Sequence, residues 1–200
     1  MSTVPVRRLT PQEYLAIERR APTKSEYYRG EMFAMSGASE EHNLIAGNVF
    51  GLVWQQFRGR PCKVYSGDMR VKVDFSGLYT YPDVVAVCGD AQFEDEQFDT
   101  LLNPLVLVEV LSPSTQGYDR VQKFELYRQL PSLQEYLIIA QDRLSIEHFA
   151  RQDDGSWRLT DHNDISQTLE LLSINCRLSL ADVYDKVEFT PPGSDPNHNP

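Results

Sequence analysis

Apolar side chains between residues 40 and 57 recur with helical spacing. Leu44, Ile45, Val49, Leu52 and Val53 share one side of a 3.6-residue repeat, which predicts a helix from Ser39–His42 to about Phe57. Gly59-Arg60-Pro61 ends it. Upstream, Leu9-Thr10-Pro11-Gln12-Glu13 has the form of a helix start, with Thr10 as N-cap, Pro11 at the first position and Glu13 three residues after the cap. That helix should stop near Arg20, before Pro22. Tyr27 to Met35 predicts a hairpin around Arg29-Gly30. From Lys63 to Phe75 the pattern alternates, with Met69, Val71 and Val73 on one face and Arg70 and Lys72 on the other. Val84–Cys88 is a short apolar run. Leu105–Leu111 is apolar at consecutive positions, as in a strand covered on both sides. The acidic stretch Asp90–Asn103 between them reads as a loop. A helix from about Asp119 to Leu130 follows, then a meander of strands at Gln134–Ala140, Leu144–Ala150 and Trp157–Asp161. The order predicts one α/β (α+β) domain over residues 1–190, with a disordered tail, 191–200, that contains four prolines.

Composition narrows the class. At 200 residues, 41% hydrophobic and 24% charged, the chain has the make-up of one folded domain. No stretch approaches the roughly 20 apolar residues of a membrane span, and Met1–Thr10 lacks the apolar segment of a secretory signal. Cys62, Cys88 and Cys176 are an odd number with no close pair in sequence. They argue against a disulfide framework and fit a reducing cytoplasm. The net charge is −10, a poor balance for non-specific nucleic-acid binding. The imbalance is regional: the first 80 residues carry 11 basic and 8 acidic side chains, the remainder 8 and 21.

Three features in the middle of the chain carry chemistry. Tyr81-Pro82-Asp83 puts a carboxylate at the mouth of strand Val84–Cys88. Glu109 interrupts the apolar run Val106–Leu111, where an isolated carboxylate costs several kcal/mol unless paired, protonated or metal-bound. Asp119, Lys123 and Tyr127 recur every four residues on the predicted helix and share a stripe. Two carboxylates on neighbouring strands can hold a hard divalent cation, and a lysine beside them can orient water and balance charge on a phosphate. Each residue also has a plainer reading. Asp83 can shape a turn, Glu109 can pair with a buried Arg70 or Arg120, and Asp119–Lys123 can be a helix-surface pair. His148 and His162 fall on outer strands and read as surface or structural. Gly-rich phosphate loops and nucleophile elbows are absent.

Taken together, Tyr81-Pro82-Asp83-Val84, Val108-Glu109-Val110-Leu111-Ser112-Pro113-Ser114-Thr115, Asp119…Lys123…Tyr127 and Glu135-Tyr136 resemble the bacterial restriction endonuclease-like family within the PD-(D/E)xK nuclease superfamily. The segment Gly30-Glu31…Met35…Ser39…His42 matches as well, so the resemblance runs from about Thr10 to Ala150. It implies a restriction endonuclease-like core: a central mixed sheet flanked by helices, with additional antiparallel strands. It further implies that Asp83 and Glu109 ligate Mg²⁺ or Mn²⁺, joined by the Val110 backbone carbonyl. The usual lysine position, two residues after the second acid, holds Leu111. The resemblance therefore implies a migrated lysine, Lys123, supplied from the following helix. Glu31, with Glu26 as second choice, would be the early acid of the superfamily, and His42 a phosphate or water contact. The implied activity is phosphodiester hydrolysis of DNA by a homodimer; separately, the late antiparallel strands Leu144–Asp161 offer an edge that could pair with a second copy. The alternatives are a catalytically inactive nuclease fold serving as a binding or assembly module, and a hydrolase of smaller phosphate esters.

Overall fold

The computed structural model describes residues 8–111 and 122–189. Pro11–Glu18 forms α1, started by a reciprocal capping box between Thr10 and Glu13. β1 (Ser25–Tyr28) and β2 (Glu31–Ala34) make the expected hairpin. Its turn puts Arg29 and Gly30 at positive φ, which matches the twist of the strands. Glu40–Phe57 is α2, capped by Ser39, and it buries Ile45, Val49, Val53 and Phe57.

Two sheets follow. β3 (Cys62–Ser66), β6 (Val84–Cys88), β8 (Val106–Leu111), β9 (Glu135–Ala140), β10 (Ile146–Arg151) and β11 (Trp157–His162) form a six-stranded sheet in the order β11-β10-β9-β8-β6-β3. Its β8–β9 pair is parallel and its other pairs are antiparallel, so the sheet is mixed. β1 and β2 join β4 (Arg70–Val73), β5 (Leu78–Thr80) and β7 (Thr100–Leu101) in a second sheet, in the order β2-β1-β5-β4-β7. α3 (Phe124–Tyr127) precedes β9. β12 (Thr168–Leu171), a 3-10 turn at Leu172–Ile174, β13 (Cys176–Ser179) and α4 (Leu180–Val183) complete the described chain.

The six-stranded sheet is covered on both faces, which is why β8 reads as a continuous apolar run. Val84, Ala86, Val106, Val108, Val110, Leu137 and Ile139 pack with α2, β12, β13 and α4. Val85, Val87, Leu107, Leu111, Tyr136 and Ile138 pack with Val71, Val73 and Leu78 of the second sheet and with Tyr127. Alternation then dictates that Glu109, between Leu107 and Leu111, faces the second sheet. On the outer side of that sheet, Tyr14 of α1 stacks with Tyr27 and packs beside Tyr79.

Several expectations change. Cys62 and Cys88 are paired in a disulfide, because the β3–β6 register places them directly opposite each other despite a sequence separation of 26. The cysteines thus give no reason to place the chain in a reducing compartment. Arg70 is not on a solvated face. It is buried, donating to the Tyr81 hydroxyl at 2.9 Å and to Thr100 Oγ1 at 3.1 Å. Short elements escaped the pattern: β5 and β7 have three and two residues, too few for a period. Of the two readings for His148, surface or structural, burial excludes the surface one: its Nε2 lies 3.0 Å from Glu135 Oε1. Ser112, Asp119, Arg120 and the tail 191–200 lie outside the described residues. No helix among the described residues is long and apolar enough to cross a membrane.

Candidate active site

Asp83 follows Pro82 and immediately precedes β6. The antiparallel β6–β8 register pairs Val84 with Val108, and its continuation sets Asp83 opposite Glu109. Asp83 Oδ2 accepts a hydrogen bond from the Val110 N–H at 2.7 Å. Its Oδ1 lies 2.8 Å from His42 Nε2. His42 sits in the first turn of α2, where Ser39 Oγ accepts from its backbone N–H at 3.3 Å. The cap that starts α2 thus also aims the imidazole at Asp83.

Glu109 is only 5% exposed. Its Oε1 accepts from the Tyr127 hydroxyl at 2.6 Å and lies 3.2 Å from Lys123 Nζ. Lys123 and Tyr127 are four residues apart at α3, so both reach the same carboxylate. Burial, and secondarily the Glu109 charge, push the Tyr127 phenol well above its ordinary pKa, so it remains a donor. Lys123 is 8% exposed and touches a second carboxylate, Glu26 Oε1 of β1, also at 3.2 Å. Glu26 in turn accepts from Thr80 Oγ1 on β5, whose hydroxyl lies 3.2 Å from that of Tyr127. The Lys123 ammonium therefore ties the six-stranded sheet to the second sheet. Burying this charge is tolerable only because two carboxylates surround it.

The cluster opens on a cleft of about 1140 Å³ lined by Glu26, His42, Asp83, Glu109, Val110 and Lys123 together with Phe33, Asn43 and Gln141. Of the residues singled out from the sequence, Asp83, Glu109, Val110, Lys123 and His42 meet here. Glu31 does not: it is exposed at the turn end of the hairpin, opposite Tyr28, and does not line the cleft. Glu26, the second choice, lines the cleft and contacts Lys123. Thr80 was missed, since its strand carries no readable period. Arg70, a proposed partner for Glu109, belongs instead to a buried network with Tyr81, Thr100 and Glu18 behind the cleft.

No three His, Cys, Asp or Glu side chains among the described residues form a ready-made metal cage. The donors present are hard oxygens from Asp83, Glu109 and the Val110 carbonyl. Such a set suits Mg²⁺, which is usually held by one or two carboxylates with water completing its shell.

A family model described as Uma2, "Putative restriction endonuclease", matches residues 11–181. The chain belongs to this family. Two relatives come from Synechocystis sp., both described as uncharacterized proteins. One, slr1290, is 35% identical over 187 residues, covering 94% of this chain and 97% of its own. The other, sll1609, is 39% identical over 153 residues, covering 76% and 86%. A crystal structure from Anabaena variabilis, titled a putative nuclease belonging to DUF820, superposes with a TM-score of 0.68 at 17% identity. It covers 86% of this chain and 96% of that one. The chain thus has a nuclease-like fold.

Proposed function

We propose that this Uma2 protein is a Mg²⁺- or Mn²⁺-dependent nuclease that hydrolyses phosphodiester bonds of DNA. The observation that carries the proposal is the seat of Lys123. Leu111 occupies the strand position of the usual lysine, yet an ammonium still reaches Glu109, delivered from α3 and steadied by Glu26. A lysine lying away from the carboxylates would have favoured a non-catalytic scaffold.

Asp83 and Glu109 would hold the ion, with the Val110 carbonyl as a third donor. A bound divalent ion lowers the pKa of water and polarises the phosphate. The rest falls to side chains. Lys123 orients the attacking water and balances the negative charge that builds on the phosphate. Glu26 holds Lys123 from the opposite sheet. Tyr127 donates to Glu109 and His42 contacts Asp83, so both carboxylates are fixed before substrate arrives. The proposal includes a homodimer, paired through β11, one of the two end strands of the six-stranded sheet.

The test is cleavage of plasmid and single-stranded DNA in Mg²⁺ and Mn²⁺ beside Asp83→Asn and Lys123→Met. Low salt is needed because phosphate contacts made by so acidic a chain are weak. Cleavage by the wild type alone supports the assignment. Undiminished cleavage by either variant removes that residue from the mechanism.

A further inference from the structure

We infer that Phe33 is the platform on which a base beside the cleaved phosphodiester stacks, which makes the substrate single-stranded or unpaired nucleic acid. The inference rests on the nuclease reading above and specifies its substrate. In the hairpin register Phe33 lies directly opposite Glu26. Side chains of such a pair share a sheet face with Cβ atoms about 5 Å apart. Glu26 is the carboxylate that holds Lys123, so the ring stands one side chain away from the proposed centre. Phe33 lines the cleft and is 47% exposed.

Trp54, Phe75, Phe98 and Phe189 are exposed as well, but of these exposed rings only Phe33 lines the cleft. Tyr14, Tyr27 and Tyr79 pack on one another, as do Phe124, Tyr136 and Phe149. Among the described residues no other aromatic ring packs on Phe33. β2 is also an edge strand of its sheet, and among the described residues no further strand pairs on that side. An apolar ring open to water at this place in the cleft presents a face on which a planar group can stack.

Charge points the same way. With a net charge of −10, the chain has little to gain from counterion release along a phosphate backbone. Lys24, also in the cleft, is already held by Asp68 at 2.9 Å and by the Gly67 carbonyl at 2.8 Å. Stacking needs no charge and accepts any base, because every base has a π-face. It does need a base free of its own stack. In a duplex that face is occupied, and extruding a nucleotide costs energy.

The experiment uses the full chain and three labelled oligonucleotides: a single strand, its duplex, and the same strand carrying abasic residues. Binding is read by fluorescence anisotropy and cleavage on gels. The wild type should bind the base-bearing strand about tenfold more tightly than the abasic one. Phe33→Ala should erase that difference, and Phe33→Trp should keep it. At an exposed edge position both variants should fold, which circular dichroism checks. A preference that survives in Phe33→Ala overturns the inference, as does a wild type indifferent to the presence of bases. A change of dimer mass in Phe33→Ala without any change in binding also overturns it, assigning the ring to a contact between copies. Asp83-dependent cleavage of all three substrates alike would leave the nuclease reading standing and sink this one. If none of them is bound or cleaved, the nuclease reading itself has failed.

Discussion

At the scale of single residues, Lys123 joins two carboxylates that belong to different sheets, and its removal tests chemistry and architecture separately. Lys123→Met keeps the length and apolar stem of the side chain while deleting the charge. Cleavage should fall about 10²- to 10³-fold, the range for losing one preorganised charge-stabilising group. Divalent binding, measured by calorimetry, should persist, because Asp83 and Glu109 remain. Glu26 and Glu31 offer a matched pair: Glu26→Gln should lower the rate of cleavage and Glu31→Gln should leave it unchanged. Equal effects in the two would remove Glu26 from the centre. Tyr127→Phe takes a donor from the buried Glu109 carboxylate and leaves Thr80 without its phenol neighbour. The expected cost is about 1–3 kcal/mol, seen as a lower urea midpoint with an unchanged slope.

At the scale of elements, α1 is held at both ends by polar contacts that can be tested without touching the cleft. Thr10→Ala deletes the N-cap side chain and should cost about 1 kcal/mol of stability. At the other end, Arg19 bonds Asp99 and Asp95 in the loop before β7, with Nη2 and Nε each 2.7 Å from a carboxylate oxygen. Arg19 is the main cause that holds both carboxyls below their usual range. Their lowered folded pKa values mean that the stabilisation is present above the unfolded value of about 3.9 and is lost as pH falls through the folded values. Arg19→Ala should therefore be less stable than the wild type at pH 7, and the gap should close below about pH 4. A gap independent of pH in urea titrations would show that the contact acts through packing alone.

For the whole molecule, the six-stranded sheet ends in β11, which among the described residues pairs only with β10 and leaves Leu159 48% exposed. Free edges of this kind pair with other chains unless they are protected. Leu159→Lys should convert a dimer to a monomer by light scattering. A wild type that is monomeric at high concentration would remove the β11 pairing from the proposal. The disulfide belongs to this scale too. Two cysteines remote in sequence become neighbours only when β3 and β6 pair, and no spacing rule could have joined them.

What the linear pattern determined is what short-range physics controls. The Thr10–Glu13 box, the Arg29-Gly30 turn and the α2 periodicity involve residues no more than a few positions apart, so capping and φ preferences suffice to specify them. Asp83 and Glu109 were visible because each is a carboxylate at the end or middle of an apolar strand, a conflict that calls for a partner. The identity of those partners was decided by tertiary structure. Glu26 and Glu31 face the same side of one hairpin, about 7 Å apart along it, and are indistinguishable in sequence. Docking of that hairpin against the six-stranded sheet selects Glu26. Arg70 reads as a polar-face residue until Tyr81 and Thr100 close around it. The energy that settles such choices is the burial of charge between sheets, and it exists only once both sheets are in place.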